Sequence, residues 1–471
     1  MRTGHGTLAD AMVVAAVLWH LAVVYAGGWG AIRTTPHAND FASFYYAARV
    51  AWRGDDPYVT ASLHAEAKRD AARSRTAKLA AQRPRSEGGY ATSAGLPRGL
   101  AALASTRPAA EVPVPYPFLY PPAFLVLMGW TLPLSLSRAY RLWFVASELS
   151  LCLALLCLCR WWRPLGRGGW RFVVVAALLL PATVENHIWG QMNLPTLALA
   201  MLGLWLVERA PSAPGAGRWR AVAGGALLGL ACHVKMAPAL FVVWWLRRSR
   251  VRPALAALVT VVLLSLLAWV VLGLDIQKRF LLAVLPRLFV GDFNGLGVPL
   301  DSPANQSLAG FLQHVLAAGA GQPSRLVLWL ASGGGMLAAA LAIGRRPDPT
   351  CDPFSHAASV AAVALAMLLI PGYCFEHHLV WAIAPLALSA IALDRGRLAR
   401  RWALPVGASW ALLMLPLGLL QAPLQWKGHK AALDLMLREA RLAGLILLLA
   451  LMLWLAWRQP SAAPRSGPTA R

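Results

Sequence analysis

The sequence predicts an all-α, polytopic membrane protein, and three observations support this prediction. Of the 471 residues, 58% are hydrophobic, the mean hydropathy is +0.54 and 21 residues are tryptophan. Apolar runs close to the length needed to cross a bilayer recur along the chain. Between these runs, arginines cluster in short segments such as "RRSRVR" and "DRGRLARR". Such clusters are typical of the cytoplasmic loops of membrane proteins.

The net charge of +24 would also suit a nucleic-acid-binding protein. Such a protein needs a basic face on a folded domain, whereas here the basic residues separate apolar runs. We therefore expect a lipid bilayer, and no nucleic acid, as a partner. The six cysteines form no CxxC pair and most lie within apolar runs, so the sequence predicts neither a disulfide framework nor a zinc site.

The apolar runs differ in length. Candidate spans lie near residues 8–27, 118–134, 141–159, 172–185, 193–208, 221–232, 236–246, 253–273, 326–343, 355–371, 378–393, 402–420 and 442–457. A helix needs about 20 residues to cross a hydrocarbon core of ~30 Å, and several runs are shorter. We expect the short pieces to surround a cavity within the membrane, because irregular backbone is tolerated there only where it faces protein or water.

The span count and the domain organisation follow from these runs. About twelve spans are expected, in one transmembrane domain over residues 1–460, followed by a disordered cytoplasmic tail at 461–471. The first run lacks a clear A-x-A cleavage site, so it is interpreted as a retained span.

The charge of the loops predicts the orientation in the cytoplasmic membrane. The positive-inside rule places the basic loops in the cytoplasm, at 209–220, 247–252, 345–346 and 394–401. The segments that then lie outside are 28–116, 274–325 and 421–441. The basic segment 160–171 conflicts with this orientation unless the run at 118–134 or the run at 141–159 is re-entrant or interfacial. Both termini are then inside, and the polar ends of the spans face the periplasm or exterior.

The first outer segment is large and begins with "NDFASFYYAARVAWRGDDPY" at 39–58. A mostly aromatic stripe recurs in it at helical spacing, at Phe41, Phe44, Tyr45, Ala48 and Trp52. This stripe predicts a helix that lies in the membrane interface and begins at Asp40. Residues 61–110 are rich in Ala, Arg and Ser, which predicts a solvated, partly helical insert without chemistry of its own.

Polar residues that interrupt or adjoin the apolar runs are the candidate site residues. In the predicted orientation all of them lie at the outer ends of spans: Asp40, Tyr120, Glu185, His187, Gln191, Asn193, His233, Lys235, Asn305, Gln306, Glu376, His377 and His378. An ionisable group deep in a bilayer costs about 2.5–3.5 kcal/mol on insertion scales. Several such groups at one level therefore indicate a shared, hydrated cavity.

Each candidate also has a structural explanation. Asp40 could cap the N-terminus of its helix, and Lys235 could extend to the interface. Adjacent imidazoles on a helix point in different directions, so His377 and His378 are not expected to share a metal. The amides, including Gln191, could bridge helices instead of binding a ligand.

Six short motifs occur in an order that is characteristic of one family. They are "NDF" followed by "GDDPY", then "YPPAF", "GQMN", "GLACHVKMAP", "NQSL" and "EHHLVWAIAPL". In this order the chain resembles the polyprenol-phosphate-mannose-dependent mannosyltransferases of glycosyltransferase family 87, which belong to the GT-C fold group. The resemblance covers roughly residues 8–400. The sequence departs from the family pattern at His233 and in "YCFEHH", which leaves the transferred sugar open.

The resemblance implies a function and a set of roles. It implies inverting transfer of a hexose, mannose above all, from a polyprenyl-phosphate donor to a glycan or lipid acceptor, with metal independence or only a weak metal link, so no cofactor is expected. Asp40 would be the catalytic base, and Lys235, His377 and His378 would bind the donor phosphate. The other candidates would line the substrate cavity: Tyr120, His187, Gln191, Asn193, His233, Asn305, Gln306 and Glu376.

Two other functions remain open from the residues. A transporter or lipid-linked sugar flippase would also need many spans, but inverted repeats and midplane carboxylates, which would favour it, are not visible in the sequence. An oligosaccharide ligase or polymerase would instead take a preassembled lipid-linked glycan as its donor. The sequence has no GxGxxG, P-loop or DxD motif, so a nucleotide-sugar or ATP-driven reaction is not expected.

Overall fold

A computed structural model describes residues 4–28, 39–82, 115–166, 168–208, 216–289, 292–295, 300, 302, 304–316, 325–344, 352–415 and 439–458. Within these ranges the regular structure is helical apart from one isolated bridge at Phe293, which confirms the all-α prediction. The α-helices are α1 (Gly4–His20), α2 (Asn39–Ala51), α3 (Thr60–Gln82), α4 (Pro122–Leu127), α5 (Leu136–Trp161), α6 (Gly169–Leu179), α7 (Pro181–Trp189), α8 (Asn193–Glu208), α9 (Ala216–Val234), α10 (Ala239–Arg247), α11 (Val251–Leu272), α12 (Leu274–Arg279), α13 (Leu285–Phe289), α14 (Leu308–Leu316), α15 (Arg325–Gly344), α16 (Pro353–Leu369), α17 (Ile383–Asp394), α18 (Ala403–Met414) and α19 (Ala440–Trp457).

Several helices continue into tighter or wider turns. The π-helix Leu21–Gly28 follows α1, and a second one, Phe280–Val284, joins α12 to α13. The 3₁₀ turns Met128–Thr131 and Glu376–Ala382 extend α4 and precede α17, respectively.

Five helices of the described ranges are long and apolar enough to cross a membrane. They are Leu136–Trp161, Val251–Leu272, Leu326–Gly344, Glu376–Asp394 and Ala440–Trp457. Helices α6 and α7 form a sixth span if they are taken together, with a bend of 50° between them. The predicted count of about twelve is therefore not confirmed. The main reason is that several predicted runs fold as helices of 9 to 17 residues, such as α10 and α16.

Of the two apolar runs that precede the basic segment 160–171, only one is long enough to cross a membrane, as the orientation predicted from loop charge requires. The run at 118–134 contains only the ten-residue helical stretch Pro122–Thr131, which spans about 15 Å at 1.5 Å per residue. The run at 141–159 lies in the 26-residue helix α5. Only the second is long enough to cross, so the basic segment 160–171 can lie at the same end of the bundle as the other basic loops.

Contacts between distant segments locate this basic end. The Arg248 side chain reaches His356, and His356 packs on Trp161 with ring centroids 5.9 Å apart. Arg397 pairs with Asp352. These residues lie where α5, α10 and α17 end and where α16 begins, so the C-terminal ends of three helices meet the N-terminal end of a fourth. The opposite ends of α10 and α16 line the cavity described below.

Helices α8, α9 and α11 pack closely through small residues. A Cβ atom at Gly203 of α8 would lie 2.6 Å from the carbonyl oxygen of Gly224 in α9. Gly225 and Gly229 of α9 approach the backbone of α11 in the same way. Small residues allow membrane helices to approach closely where apolar burial provides no driving force. This packing fixes the end of α9, from which Lys235 follows.

The aromatic stripe of α2, which the sequence suggests for a membrane interface, contacts protein. Phe41 packs on Tyr140 and Trp143 with centroid distances of 5.4 and 5.8 Å, and Phe44 packs on Phe124 at 5.1 Å. Of the stripe, only Trp52 is exposed. The stripe therefore faces protein and not lipid, because residues of α4 and α5 pack on it. The position of α2 relative to the membrane interface stays a prediction.

The predicted insert at 61–110 begins as helix α3, which extends to Gln82. Its first turns are not merely solvated: Leu63 and Ala67 are buried, and the buried carboxylate of Glu66 pairs with Arg53 and Arg73. Positions 83–110 and the predicted tail at 461–471 lie outside the described residues.

Candidate active site

One large cavity opens where the ends of many helices meet. Its volume is about 1480 Å³. Nine of the predicted site residues line it: Asp40, Tyr120, Glu185, Gln191, Asn193, Lys235, Glu376, His377 and His378. They come from the start of α2, helix α7, the turns before α4 and α8, the end of α9 and the 3₁₀ turn before α17. The tertiary structure thus brings together residues that lie up to 338 positions apart in the sequence.

Asp40 is held by an amide at the cavity wall. Gln191 Nε2 donates a hydrogen bond to Asp40 Oδ2 at 2.6 Å, and Tyr120 Oη lies 3.5 Å from Gln191 Oε1. Gly190, with φ of 64°, allows the chain to turn from α7 into Gln191. Carboxylate Oδ1 accepts no hydrogen bond from the residues that the structure describes, so it is available to a ligand in the cavity.

Lys235 belongs to a chain of buried amides. Its Nζ donates to Asn193 Oδ1 at 2.6 Å, and Asn193 Nδ2 donates to Asn186 Oδ1 at 3.0 Å. Asn186 Nδ2 in turn donates to the His377 carbonyl oxygen at 2.7 Å. Asn186 and Asn193 are fully buried, and buried polar groups that are fully paired hold a unique geometry. This network fixes the lysine relative to the histidine segment.

The two adjacent imidazoles are oriented differently, as the sequence predicts for neighbours on a helix. The ring centroids of His377 and His378 are 4.4 Å apart, with an interplanar angle of 75°. The backbone N–H of Phe375 donates to His378 Nδ1 at 3.1 Å. An imidazole that accepts at Nδ1 carries its proton on Nε2 in the neutral form. His378 therefore has a donor left for a ligand.

Two further carboxylates line the cavity near these histidines. Glu376 Oε1 pairs with Arg441 Nη2 at 2.7 Å, and the Arg441 side chain is fully buried. Glu185 accepts a hydrogen bond from the indole N–H of Trp189, one turn further along α7. Arg441 is not apparent from the sequence as a site residue, because it begins an otherwise apolar helix far from every motif.

The electrostatics of Asp40 and Lys235 suit proton transfer and anion binding. Burial raises the pKa of Asp40 to about 6, although the Gln191 hydrogen bond and the Lys235 charge act in the opposite direction. Burial lowers the pKa of Lys235 to about 8, and the Asp40 charge acts against this shift. At neutral pH the carboxylate and the ammonium are therefore both charged. A carboxylate of raised basicity is a better general base.

Four predicted cavity residues lie elsewhere. His187 faces away from the cavity, since its Nδ1 is 2.8 Å from the Thr183 carbonyl oxygen and its Nε2 is 3.2 Å from Glu148 of α5. The physical reason is helical geometry. His187 is two residues from Glu185, which lines the cavity, and residues two apart on a helix point in nearly opposite directions. His233 is buried within α9 and does not line the cavity.

Asn305 and Gln306 support the cavity wall from behind. Asn305 Oδ1 accepts from the backbone N–H of Cys374 at 3.0 Å, and its Nδ2 donates to the Leu300 carbonyl oxygen at 2.9 Å. The backbone N–H of Gln306 donates to the Cys374 carbonyl oxygen at 2.7 Å. These bonds hold the loop before α14 against the segment that leads to His377. Neither amide side chain lines the cavity.

Asn186 is a site residue that the sequence patterns did not single out. It lies in "VENHIWGQMN" between Glu185 and His187, which are both candidates. Its signal is the same as theirs, a polar group inside an apolar run. Within the described ranges no three His, Cys, Asp or Glu side chains are grouped as metal ligands would be, so the geometry offers no set of residues to which a metal can be assigned.

Comparisons with known proteins identify the family of this chain. The sequence profile of glycosyltransferase family 87 matches residues 118–371, which is more than half of the chain. A polyprenol-phosphate-mannose-dependent alpha-(1-2)-phosphatidylinositol mannoside mannosyltransferase of Mycolicibacterium smegmatis is 26% identical over 301 residues, covering 60% of this chain and 63% of the relative.

A second relative has the same name and comes from Mycobacterium tuberculosis. It is 27% identical over 225 residues, 46% of either chain. The aligned regions therefore span less than two thirds of both relatives. No solved structure matches this chain. The profile match covers the turns that carry Tyr120, Gln191, Asn193 and Lys235, and the chain belongs to glycosyltransferase family 87.

Proposed function

We propose that the protein is an integral-membrane glycosyltransferase that moves a hexose, most simply mannose, from a polyprenyl-phosphate sugar to a glycan or lipid acceptor. One observation carries this proposal: a carboxylate with a free oxygen, Asp40, lines the same cavity as a cationic group, Lys235, and two imidazoles. This is the set of groups that glycosyl transfer from a phosphate needs. Family membership favours this function over a flippase.

The proposed reaction is a single displacement at the anomeric carbon. The acceptor hydroxyl oxygen attacks C1 of the sugar, and its proton passes to Oδ1 of Asp40. The bond between C1 and the phosphate oxygen breaks with its electron pair, so polyprenyl phosphate leaves. Attack opposite to the leaving group inverts the configuration at C1. Positioning the hydroxyl in line with C1 supplies a large part of the rate enhancement.

The departing phosphate gains negative charge, which the cationic side of the cavity can stabilise. Lys235 supplies a full positive charge at neutral pH, and His378 supplies an N–H donor. Preorganised charges and donors of this kind often contribute more to rate enhancement than any other effect. The buried amides Asn193 and Asn186 hold the ammonium in place, so little reorganisation is needed when the charge develops.

The apolar part of the cavity lining suits the polyprenyl tail. Apolar residues of α10, α15 and the end of α16 line the cavity together with Lys235: Ala239, Leu240, Val243, Leu328, Ala331, Met336, Met367 and Leu368. Val243 and Met336 are partly exposed on the outside of the bundle. A tail could therefore enter sideways from the bilayer, while its phosphate stays at Lys235.

The proposed location is the cytoplasmic membrane, with the cavity on the outer side. Among the described basic residues, Arg248 and Arg397 follow the ends of α10 and α17 that point away from the cavity. The positive-inside rule assigns such an end to the cytoplasm. The relatives are named for polyprenol-phosphate-mannose dependence and for a phosphatidylinositol mannoside. A mannose donor and a glycolipid acceptor are therefore the first substrates to test.

The test is transfer by the purified protein from a panel of polyprenyl-phosphate monosaccharides to a short-chain alkyl mannoside. We expect transfer with at least one donor and loss of transfer in Asp40→Asn, since an amide still accepts from Gln191 but takes up no proton. Asp10→Asn is the matched control, because Asp10 pairs with Arg171 at the basic end of the bundle. Transfer by Asp40→Asn at the parental rate would refute the base assignment.

A further inference from the structure

We infer that Glu185 and Trp189 of helix α7 form the subsite that binds a neutral hexose of the acceptor. This inference rests on the proposed function and extends it to the second substrate. Both side chains line the cavity, and neither belongs to the groups that handle the donor phosphate.

The two side chains form a prearranged sugar-binding pair. The Trp189 indole N–H donates to Glu185 Oε2, which orients both side chains. The other oxygen, Oε1, accepts no hydrogen bond from the described part of the chain. A carboxylate oxygen is a strong acceptor for sugar hydroxyls, and the face of an indole offers an apolar surface for the C–H groups of a hexose.

Helix α7 holds this pair rigidly from its other sides. Tyr140 Oη donates to the His187 carbonyl oxygen at 2.6 Å, and Trp143 Nε1 donates to the Gly190 carbonyl oxygen at 2.9 Å. Asn186 binds the His377 carbonyl oxygen. A binding site whose supporting residues are fixed in this way loses little entropy when the ligand binds.

Charge decides which substrate fits here. Glu185 lies near Glu376 and Arg441, and Arg441 is already paired with Glu376. Both carboxyl groups line the cavity, and Glu376 is paired with Arg441 while Glu185 has an oxygen that accepts no hydrogen bond from the described residues, so acceptors predominate here. A phosphate would be repelled, whereas an uncharged polyol would find acceptors for its hydroxyl protons. The donor phosphate is therefore assigned to Lys235 and the neutral acceptor sugar to α7.

The position of α7 places an acceptor sugar beside the proposed base. The chain continues from Trp189 through Gly190 to Gln191, which binds Asp40. A hexose on Trp189 is thus near the residue that holds the catalytic carboxylate. Trp19 and Val23 also line the cavity, from the first helix and the π-helix that packs on α7. They offer an apolar surface for the hydrocarbon part of a lipid acceptor.

The experiment compares Glu185→Gln with the parent in two assays. The first measures mannose transfer from polyprenyl-phosphate mannose to octyl α-mannoside and to its 6-phosphate. The second measures binding of octyl α-mannoside to the purified protein by saturation-transfer NMR, without any donor. The matched control is Glu208→Gln, because Glu208 accepts an indole N–H from Trp245 at 3.1 Å, at the basic end of the bundle.

Loss of a charge-assisted hydrogen bond predicts that Glu185→Gln raises the KM for octyl α-mannoside roughly tenfold or more, with the KM for the donor unchanged. The preference for the neutral acceptor over the phosphorylated one should decrease. Trp189→Phe should also weaken acceptor binding, and Glu208→Gln should leave both KM values unchanged.

The outcomes separate the inference from the proposed function. If Glu185→Gln changes both KM values equally, or changes neither, the assignment of the acceptor subsite is wrong, and the proposed transferase function is unaffected. If the parent transfers no sugar, the proposed function fails, and the NMR assay still decides: weakened binding in Glu185→Gln supports a sugar site at α7, and unchanged binding refutes it.

Discussion

Lys235 Nζ donates a hydrogen bond to Asn193 Oδ1 at a distance of 2.6 Å, and the Asn193 amide is itself fixed by Asn186. The Asn193 amide is neutral, so it does not offset the charge of the ammonium. A carboxylate in the same place would offset it. The lysine is therefore oriented but not neutralised, which suits a group that must attract a phosphate.

The first prediction concerns Asn186, which does not line the cavity. In Asn186→Leu, the Asn193 amide and the His377 carbonyl oxygen each lose one hydrogen bond but keep the one between them at 3.1 Å. Each lost bond costs about 0.5–1.5 kcal/mol. We expect a lower unfolding midpoint in detergent and a higher KM for the donor, because Lys235 is no longer held in place. The control is Ser359→Ala, which removes the acceptor for the Trp244 indole. It should lower stability without changing the donor KM.

The second prediction is the pH dependence of transfer. Asp40 must be ionised to act as a base, so kcat/KM should rise with pH through about 6, the pKa of this carboxyl. Lys235 must be protonated to bind phosphate, so kcat/KM should fall as pH rises through about 8, the pKa of the ammonium. The profile is thus bell-shaped. In Lys235→Arg the alkaline limb should disappear from the accessible range, because guanidinium stays charged to about pH 12. If the midpoint of the alkaline limb stays near pH 8 in this variant, the limb reports the titration of a group other than Lys235.

The sequence predicted which segments meet at the site better than it predicted which side chains face the cavity. Asp40, Lys235 and His377 are ionisable groups beside apolar runs, and the cost of burying them alone is a strong signal that they share a hydrated space. The direction of a side chain is a weaker signal. Glu185 and His187 are two residues apart on α7, and the helix turns them to opposite sides.

The number of spans was predictable only in part. Hydropathy detects apolar runs, and it located the long helices such as α11 and α19 within a few residues. It does not detect whether a run bends. Pro181 begins α7 directly after α6, and the run at 172–185 becomes two short helices at 50° to each other. The contacts of the aromatic stripe of α2 were not predictable for a related reason, since an apolar face can pack on protein as well as on lipid.

The third prediction concerns the turn at Gly190. Its φ of 64° favours glycine, and a Cβ atom there would lie 2.6 Å from the Cβ atom of Phe41, the neighbour of Asp40. Gly190→Ala should therefore move the start of α2. A displacement of about 1 Å can reduce catalysis roughly 100-fold, so kcat should fall markedly. The measurements are transfer kinetics and thermal unfolding.

Gly396→Ala is the matched control for this turn. Gly396 has a φ of 65°, and an added Cβ atom would meet nothing within 4 Å. It shares the left-handed backbone cost of about 1 kcal/mol without the collision. A loss of kcat as large in Gly396→Ala as in Gly190→Ala would show that backbone strain, and not the contact with Phe41, is responsible.

The last prediction concerns the buried pair Glu376 and Arg441. The Arg441 side chain is fully buried and Glu376 is 9% exposed, with 2.7 Å between Nη2 and Oε1. Removing one partner of such a pair typically costs about 3–5 kcal/mol, because the other charge remains without compensation. Arg441→Met should therefore strongly destabilise the protein, and the double variant Glu376→Gln with Arg441→Met should recover part of the loss.

For comparison, Arg171→Met at the exposed Asp10 pair should cost no more than about 1 kcal/mol. Chemical unfolding in detergent measures all three, and additive losses in the double variant would mean that the two charges do not stabilise each other.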